Sequence, residues 1–189
     1  MRPTRQGRDG RGRRALGAAL TFLVSAAGVI GLLVFFAARD ASQLSEAGTG
    51  ERGPGVGFAD QGARHLARGQ RPPAPYNSRP PTSGPHAPAP IRRDEAPITD
   101  DQLLHALEQG NVVLLYGTDR APPALRTLAD GFFGFDRALI AGGQGVILAR
   151  RAGTRGVVAL AWRRMLRTSA AADPQLQAFV EFWLGRGAG

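Results

Sequence analysis

Cysteine is absent from this chain of 189 residues. Its absence excludes disulfide bonds, thiolate chemistry, cysteine-based metal sites and a lipid anchor on cysteine. Lysine is absent as well, so all 24 basic residues are arginine. Together with the abundant Ala and Gly, this indicates a biased coding sequence rather than a function. Whatever holds a folded domain of this chain together, it is not a covalent cross-link between side chains.

The positive charge is concentrated at the N-terminus. The formal net charge is +9, of which residues 1–14 contribute +5 and Arg39 one more. The remaining +3 is spread over residues 40–189, and no stripe of arginine and aromatic residues indicates a nucleic-acid groove. The composition therefore excludes nucleic acid as a partner.

Residues 15–38 form an uncharged apolar run of 24 residues. As a helix this run is about 36 Å long, and the hydrocarbon core of a bilayer is about 30 Å thick. The alternative is a cleaved signal peptide, whose apolar region usually has only about 7–15 residues. No Ala-x-Ala site lies just after Ala38, and the triplet Ser45-Glu46-Ala47, which has small residues at the right spacing, lies late. We therefore expect an uncleaved signal anchor that crosses the membrane once.

The arginines before the apolar run predict its orientation. Six arginines lie in residues 1–14, whereas Arg39 and Asp40 cancel after the run. The positive-inside rule then keeps the N-terminus in the cytoplasm and places the rest outside the cell membrane. We expect a cytoplasmic tail (1–14), a transmembrane anchor (15–38), a flexible linker (39–57) and an extracytoplasmic domain (58–189).

The segment 72–97 contains nine of the 14 prolines. Proline lacks an amide donor and disfavours helix in the residue before it, so neither a helix nor a central strand is expected here. Composition alone favours an extended, solvated spacer. Turn-forming polar residues between the prolines, at 76–78 and 82–84, instead favour an ordered loop with specified bends.

The run DQGARHLARGQRPPAPYNSRPPTSGPH (60–86), followed by HALEQGNVVLLY (105–116), resembles the bacterial family named domain of unknown function 3105. That family shows a membrane anchor, a YNS-x-PPTSGPH segment, an H-x-LEHG helix end and a strand containing AW. The resemblance covers residues 58–184 and implies no established activity. This chain departs from the pattern at Ala87, where an aromatic is usual, and at Gln109, where histidine is usual. The motif loop consists of Tyr76, Asn77, Ser78, Pro80, Pro81, Thr82, Ser83, Gly84 and Pro85.

Local signals predict three helices and several strands after residue 97. A capping box of Thr99 and Gln102 starts the first helix, and Gly110 ends it. Residues 112–116 predict a strand covered on both faces. A second helix begins at Pro122 or Pro123 and closes near residue 131.

The second half of this region alternates apolar runs with turns. Residues 138–141 and 146–150 predict two strands joined by a glycine-rich hairpin, and residues 157–162 predict another. Asp173-Pro174 starts a C-terminal amphipathic helix. These elements predict a small α/β (α+β) domain with a helix layer on a sheet. A thioredoxin-like arrangement without redox cysteines is one candidate, as a fold-level analogy.

The three histidines, at 65, 86 and 105, all lie within the stretch that resembles the family. Folding of the loop across the first helix would bring His86 to His105, with His65 or Glu108 as a third ligand. Outside the cytoplasm and without cysteine, copper or zinc is the candidate metal. Gln109 argues against this site, because a poor ligand stands where the family has an imidazole.

Three other functional hypotheses stay open. The family's H-x-x-E-H resembles an inverted zinc-protease pattern, but residues 105–109 lack the second histidine and we expect no catalysis. A non-enzymatic interaction module, whose loop surface binds an envelope protein, requires nothing that the sequence lacks, and is the leading hypothesis. A divergent member that has lost an ancestral site is the third, and Gln109 and Ala87 both favour it.

Overall fold

A computed structural model describes residues 53–188 of the chain. Within them the chain forms four helices and five strands. The helices are α1 (Asp100–Gln109), α2 (Pro123–Asp130), α3 (Arg137–Ala141) and α4 (Pro174–Trp183). The strands are β1 (Val56–Gly57), β2 (Val112–Tyr116), β3 (Val146–Arg150), β4 (Val157–Ala161) and β5 (Arg164–Thr168). The class is therefore mixed α/β, as predicted.

The five strands form one sheet in the order β1-β5-β4-β2-β3. Strands β2 and β3 are parallel, with Val112 opposite Val146, whereas β4 runs antiparallel to both β2 and β5. All five residues of β2 are buried, which confirms the prediction of a strand covered on both faces. A central strand of this kind reads as a continuous apolar run because neither face meets water.

Helices cover both faces of the sheet, so the predicted two-layer arrangement is wrong. Successive residues of β2 point to opposite faces, and Leu114 belongs to the core under α2 and α4. Leu115 belongs to a second core, which α1 covers with three leucines. Each of these fully buried leucines contributes about 2 kcal/mol. The leucines of α1 are Leu103, Leu104 and Leu107.

The predicted capping of α1 is confirmed in detail. Thr99 Oγ1 accepts the amide hydrogen of Gln102, and Gln102 Oε1 accepts that of Thr99. Gly110 follows the helix in the left-handed conformation, at φ 109°. The starts of the two proline-initiated helices are confirmed as well, with Pro123 and Pro174 at their first positions. These signals are local, which is why sequence alone determines them.

The prediction of a strand at residues 138–141 is wrong, because Arg137–Ala141 forms helix α3. The side chain of Asp136 accepts the amide hydrogens of Ala138 and Leu139, and so caps a helix N-terminus. A run of four apolar residues fits a helix turn as well as a strand. The predicted hairpin is therefore not formed, and β3 instead pairs with β2.

The end of the predicted linker belongs to the fold. The indole of Trp183 donates a hydrogen bond to the carbonyl of Pro54 at 2.8 Å. Val56–Gly57 then forms the edge strand β1, which pairs with β5. The sequence pattern predicts neither β1 nor β5. A two-residue strand has no periodicity of its own, so its pairing with β5 is decided only by tertiary structure.

The predicted membrane anchor, residues 15–38, lies outside the described residues. Within residues 53–188 no helix is both long and apolar enough to span a bilayer.

Candidate metal centre

The motif loop is built into the domain instead of lying in solvent. Residues 80–84 are buried, and the side chains of Thr82 and Ser83 have no exposed surface. The amide of Arg163, next to strand β4, donates a hydrogen bond to the carbonyl of Thr82 at 2.8 Å. A solvated spacer would make no such contact, so the loop is an ordered part of the fold.

Side-chain hydrogen bonds hold the loop against residues 59–62. Asn77 Nδ2 donates to the carbonyl of Ala59 at 2.7 Å, and the amide of Gln61 donates to Ser83 Oγ at 3.1 Å. The hydroxyl of Tyr76 donates to the carbonyl of Pro85 at 2.8 Å. Burial raises the pKa of Tyr76 to about 12, with smaller contributions from nearby aspartates, so this donor keeps its proton at neutral pH.

The loop leads His86 to a position beside His65. The amide of Leu66 donates to the carbonyl of His86 at 2.9 Å, and the amide of His86 donates to the carbonyl of Arg64 at 3.2 Å. These bonds form a short parallel bridge that pairs His65 with His86. Paired residues of a bridge project to the same side, so the two imidazoles are neighbours.

Helix α1 supplies the other two members of the cluster. His105 and Glu108 are three residues apart and therefore share one face of the helix. Asp101, one turn earlier on that face, accepts the amide hydrogen of Ala87 at 2.9 Å. This bond fixes the chain directly after His86 to the helix and holds His86 over His105.

Four side chains converge on one point. One ligand atom from each of His65, His86, His105 and Glu108 lies within 4.8 Å of all the others. Glu108 Oε2 is 2.9 Å from His65 Nε2, 3.1 Å from His86 Nε2 and 3.8 Å from His105 Nδ1. The carboxylate oxygen thus lies among the three imidazoles. These four are the residues that the sequence predicted as a metal site.

The protonation of His86 follows from its surroundings. Its side chain is 0% exposed, and Nδ1 lies 3.0 Å from the carbonyl oxygen of Gly84. Because a carbonyl only accepts hydrogen bonds, Nδ1 carries the proton. Nε2 then presents a lone pair to the cluster when the ring is neutral, and its contact with Glu108 is not aligned as a hydrogen bond. A buried, unpartnered lone pair is costly without a ligand.

The other two imidazoles complete the set. Nδ1 of His105 is also buried without a hydrogen-bond partner among the described residues. Burial lowers the pKa of His105, and the neighbouring His86 lowers it further, while Glu108 acts in the opposite direction. A neutral imidazole is the form that binds metals. His65 is 48% exposed and leaves the cluster open to solvent on its side.

The dimensions of the cluster are near those of a tetrahedral ion. Ligand atoms about 2.0–2.2 Å from zinc are separated by about 3.4 Å in a tetrahedron. Here Glu108 Oε2 is 2.9 to 3.8 Å from the three imidazole nitrogens, and all four donor atoms lie within 4.8 Å of one another. Three nitrogen donors and one carboxylate oxygen are ligands for zinc and for copper(II).

The cluster assembles without a donor from residue 109. Gln109 is exposed at the last position of α1, and its side chain makes no hydrogen bond among the described residues. The four candidate donors therefore come together although glutamine stands where the family usually has histidine. The structure also adds a residue that sequence reasoning passed over, Asp101, whose acceptor role has no motif of its own.

Fold and cluster together define a class, a small mixed α/β domain that gathers three histidines and one glutamate at a single point. The family model described as "Protein of unknown function (DUF3105)" matches residues 69–188, and the chain belongs to this family. The resemblance drawn from the motif is thereby confirmed. Comparison with curated proteins and with solved structures gave no match. The family's description names no activity, so a function must be argued from the geometry.

Proposed function

We propose that the domain is a non-enzymatic metal-binding module that holds one zinc or copper ion with His65, His86, His105 and Glu108. The observation that carries the proposal is His86. Its Nε2 is fully buried, lacks an aligned hydrogen bond, and lies in the group of four donor atoms. A core position that required only packing would be filled by an apolar residue, because an unpaired buried polar atom costs about 1–3 kcal/mol.

The arrangement favours holding an ion over hydrolysis. Catalytic zinc sites typically have three protein ligands and a water in the fourth position. Here Glu108 lies among the imidazoles, 2.9 and 3.1 Å from two of them, where it acts as a fourth ligand. The inverted protease pattern would also need a ligand at position 109, which is an exposed glutamine.

The burial of the motif loop bears on the interaction-module hypothesis. Ser78, Thr82, Ser83 and His86 are buried, so most of the loop's polar groups are turned inward. Their hydrogen bonds are made within the domain. This supports a loop that shapes the metal centre, and we retain an envelope protein partner only as an expectation from the sequence.

We also propose that residues 15–38 anchor the protein in the cell membrane with the domain outside the cytoplasm. The uncharged apolar run and the preceding arginines support this. The test is alkaline carbonate extraction of membranes, followed by protease digestion of intact spheroplasts. Release by carbonate, or a domain that protease reaches only after lysis, would contradict the proposal.

A thioredoxin-like arrangement is a further structural proposal. Two parallel strands, β2 and β3, are connected through helices α2 and α3, and an antiparallel pair follows before α4. This order supports the analogy. Without cysteine such a domain has no thiol–disulfide chemistry, and its histidine cluster is its only candidate centre among the described residues.

The metal is tested on the full-length chain purified in a mild non-ionic detergent. After dialysis against excess zinc or copper and then against buffer, elemental analysis is expected to give one ion per chain. His86→Ala is expected to retain none, because it removes the most buried donor. Gln109→Ala is the matched control on the same helix and is expected to retain one.

Two outcomes would reject the proposal. One is a native protein without stoichiometric zinc or copper under these conditions. The other is equal retention by native protein and His86→Ala, which would place the ion elsewhere. Circular dichroism of each variant establishes that it is folded, and Glu108→Gln, which preserves shape, serves if His86→Ala does not fold.

A further inference from the structure

A cavity of about 240 Å³ lies beside the histidine cluster and shares the His105 side chain with it. Its wall is otherwise formed by the chain after the motif loop, by the end of α1 and by α3. Apolar side chains, among them Ile91, Ala106 and Ile140, contribute much of this wall. Pockets for drug-sized ligands span about 300–1,000 Å³, so this cavity suits a smaller molecule.

The described residues that line the cavity include positively charged side chains and no negatively charged ones. Two arginines, Arg92 and Arg137, line it, and no aspartate or glutamate of the described chain does so. Neither guanidinium pairs with a carboxylate among residues 53–188. The acidic residues nearest in sequence have other partners. Asp136 accepts the amide hydrogens at the start of α3, Asp94 accepts the amide hydrogen of Leu148, and Glu95 pairs with Arg126. The two arginines are therefore available to an anion.

We infer that this cavity binds a small organic anion, with an apolar body against Ile91 and Ile140 and a carboxylate at the two arginines. A guanidinium presents paired donors that match the two oxygens of a carboxylate. The apolar wall favours an organic over a simple inorganic anion, because phosphate or sulfate has no apolar part to cover Ile91 and Ile140. The ligand class is thus a compact monocarboxylate.

This inference does not rest on the metal proposal. None of the cavity's arginines or isoleucines belongs to the cluster of four ligands. His105 is shared, but its Nδ1 faces Glu108 at 3.8 Å on the cluster side. The two sites can therefore be removed separately by substitution.

The experiment uses benzoate as the probe and benzamide as its neutral isostere. Binding to the full-length chain in detergent is measured by calorimetry, with titration into empty micelles subtracted. Benzoate is expected to bind at least tenfold more tightly than benzamide. Arg92→Gln combined with Arg137→Gln is expected to remove this preference, and Ala141→Phe, which fills the cavity from an exposed helix position, to abolish binding of both probes.

The control is Arg155→Gln, an exposed arginine that does not line this cavity, and it is expected to bind benzoate like the native protein. Equal affinity for benzoate and benzamide, or unchanged binding by the double arginine variant, would overturn the inference. Metal content is measured on the same samples. Loss of metal in His86→Ala with benzoate binding retained separates the two sites, whereas benzoate binding without any metal would reject only the proposed function.

Discussion

His86 and His65 enter the cluster through the same short bridge, but their surroundings differ. The side chain of His86 is 0% exposed and that of His65 is 48% exposed. A buried donor is held by its packing, and the bond from its Nδ1 to the Gly84 carbonyl fixes the ring orientation. Such outer bonds orient metal ligands and commonly change metal affinity about 10–100-fold when they are lost. His86 is therefore the member whose loss should matter most.

A substitution at position 109 tests whether the metal site of this chain is intact or has been lost. In Gln109→His an additional imidazole is placed at an exposed position at the end of α1. We expect one ion per chain in this variant, as in the native protein, because the four donors are already present. Elemental analysis after dialysis provides the measurement. A variant that binds metal when the native protein does not would show instead that this chain has lost an ancestral site.

Position 84 requires glycine because of its backbone conformation and because of a neighbouring side chain. Its φ is +125°, and a Cβ would lie 2.9 Å from the Tyr76 ring. We expect Gly84→Ala to lower the free energy of unfolding by more than Gly69→Ala does. Gly69 has a φ of +82° with nothing near its Cβ position, so alanine there costs about 1 kcal/mol of backbone strain alone.

The difference between the two glycine variants reports the contact with Tyr76 together with the different backbone strain at φ +125° and +82°. Overpacking adds typically about 1–3 kcal/mol, and urea unfolding followed by tryptophan fluorescence measures it, since Trp162 and Trp183 are both buried. Equal destabilisation by the two substitutions would mean that the loop accommodates the added methyl group without losing stability. Such a loop would not hold His86 in place.

At the scale of elements, the proline-rich segment is tied to helix α2 by an ion pair. Arg126 donates to both carboxylate oxygens of Glu95, the second at 2.9 Å. The hydrogen bond from Arg126 is the main cause of a lowered pKa of Glu95. The stabilisation is therefore present above the ordinary value of 4.5 and is lost as the pH falls through the lower pKa of the folded state.

Glu95→Gln mimics the protonated side chain and tests this pair. At neutral pH we expect the variant to have a lower free energy of unfolding than the native protein, and we expect the two values to converge on acidification below 4.5. Asp119→Asn is the control, because Asp119 pairs with Arg150 while 96% exposed and should contribute little. A difference that persists unchanged at low pH would show that packing, and not charge, accounts for the effect.

The elements differ in how far sequence predicts them. Helices α1, α2 and α4 carry capping residues or prolines at their starts, which act within one turn. Helix α3 has only Asp136 as a cap before a short apolar run, so its pattern fits a strand equally well. Strand β5 buries only Met165 and Thr168 and contains two arginines, which weakens its apolar signal.

At the scale of the whole domain, the metal would connect segments that are distant in the chain. His65 and His86 lie in extended segments, whereas His105 and Glu108 lie on α1. A ligand that binds only the folded state raises its stability, by about 2.7 kcal/mol at a concentration of 100 times the Kd. In a chain without cysteine such an ion would take the place of a covalent cross-link.

This stabilisation is measurable by urea unfolding with and without zinc. At neutral pH we expect a higher unfolding midpoint with zinc for the native protein and no change for His86→Ala. The increase should shrink on acidification, because protons compete with the ion for the imidazoles. An equal increase in His86→Ala would indicate zinc bound elsewhere, and the chelator EDTA should return the native protein to its metal-free midpoint.

The sequence by itself determined the starts of helices α1, α2 and α4, the doubly covered strand β2 and the identity of the four candidate ligands. Each of these depends on residue type or on neighbours within one turn. Residues 137–141 have a pattern that fits a strand or a helix, and they form a helix behind the cap of Asp136. Tertiary structure alone decided that β1 and β5 pair at the sheet edge and that the four side chains meet. The physical reason is that these two outcomes depend on contacts between segments that are distant in the chain. His65 and Glu108 are 43 residues apart, and Val56 pairs with Met165 across a still longer separation, so no local pattern exists for either contact.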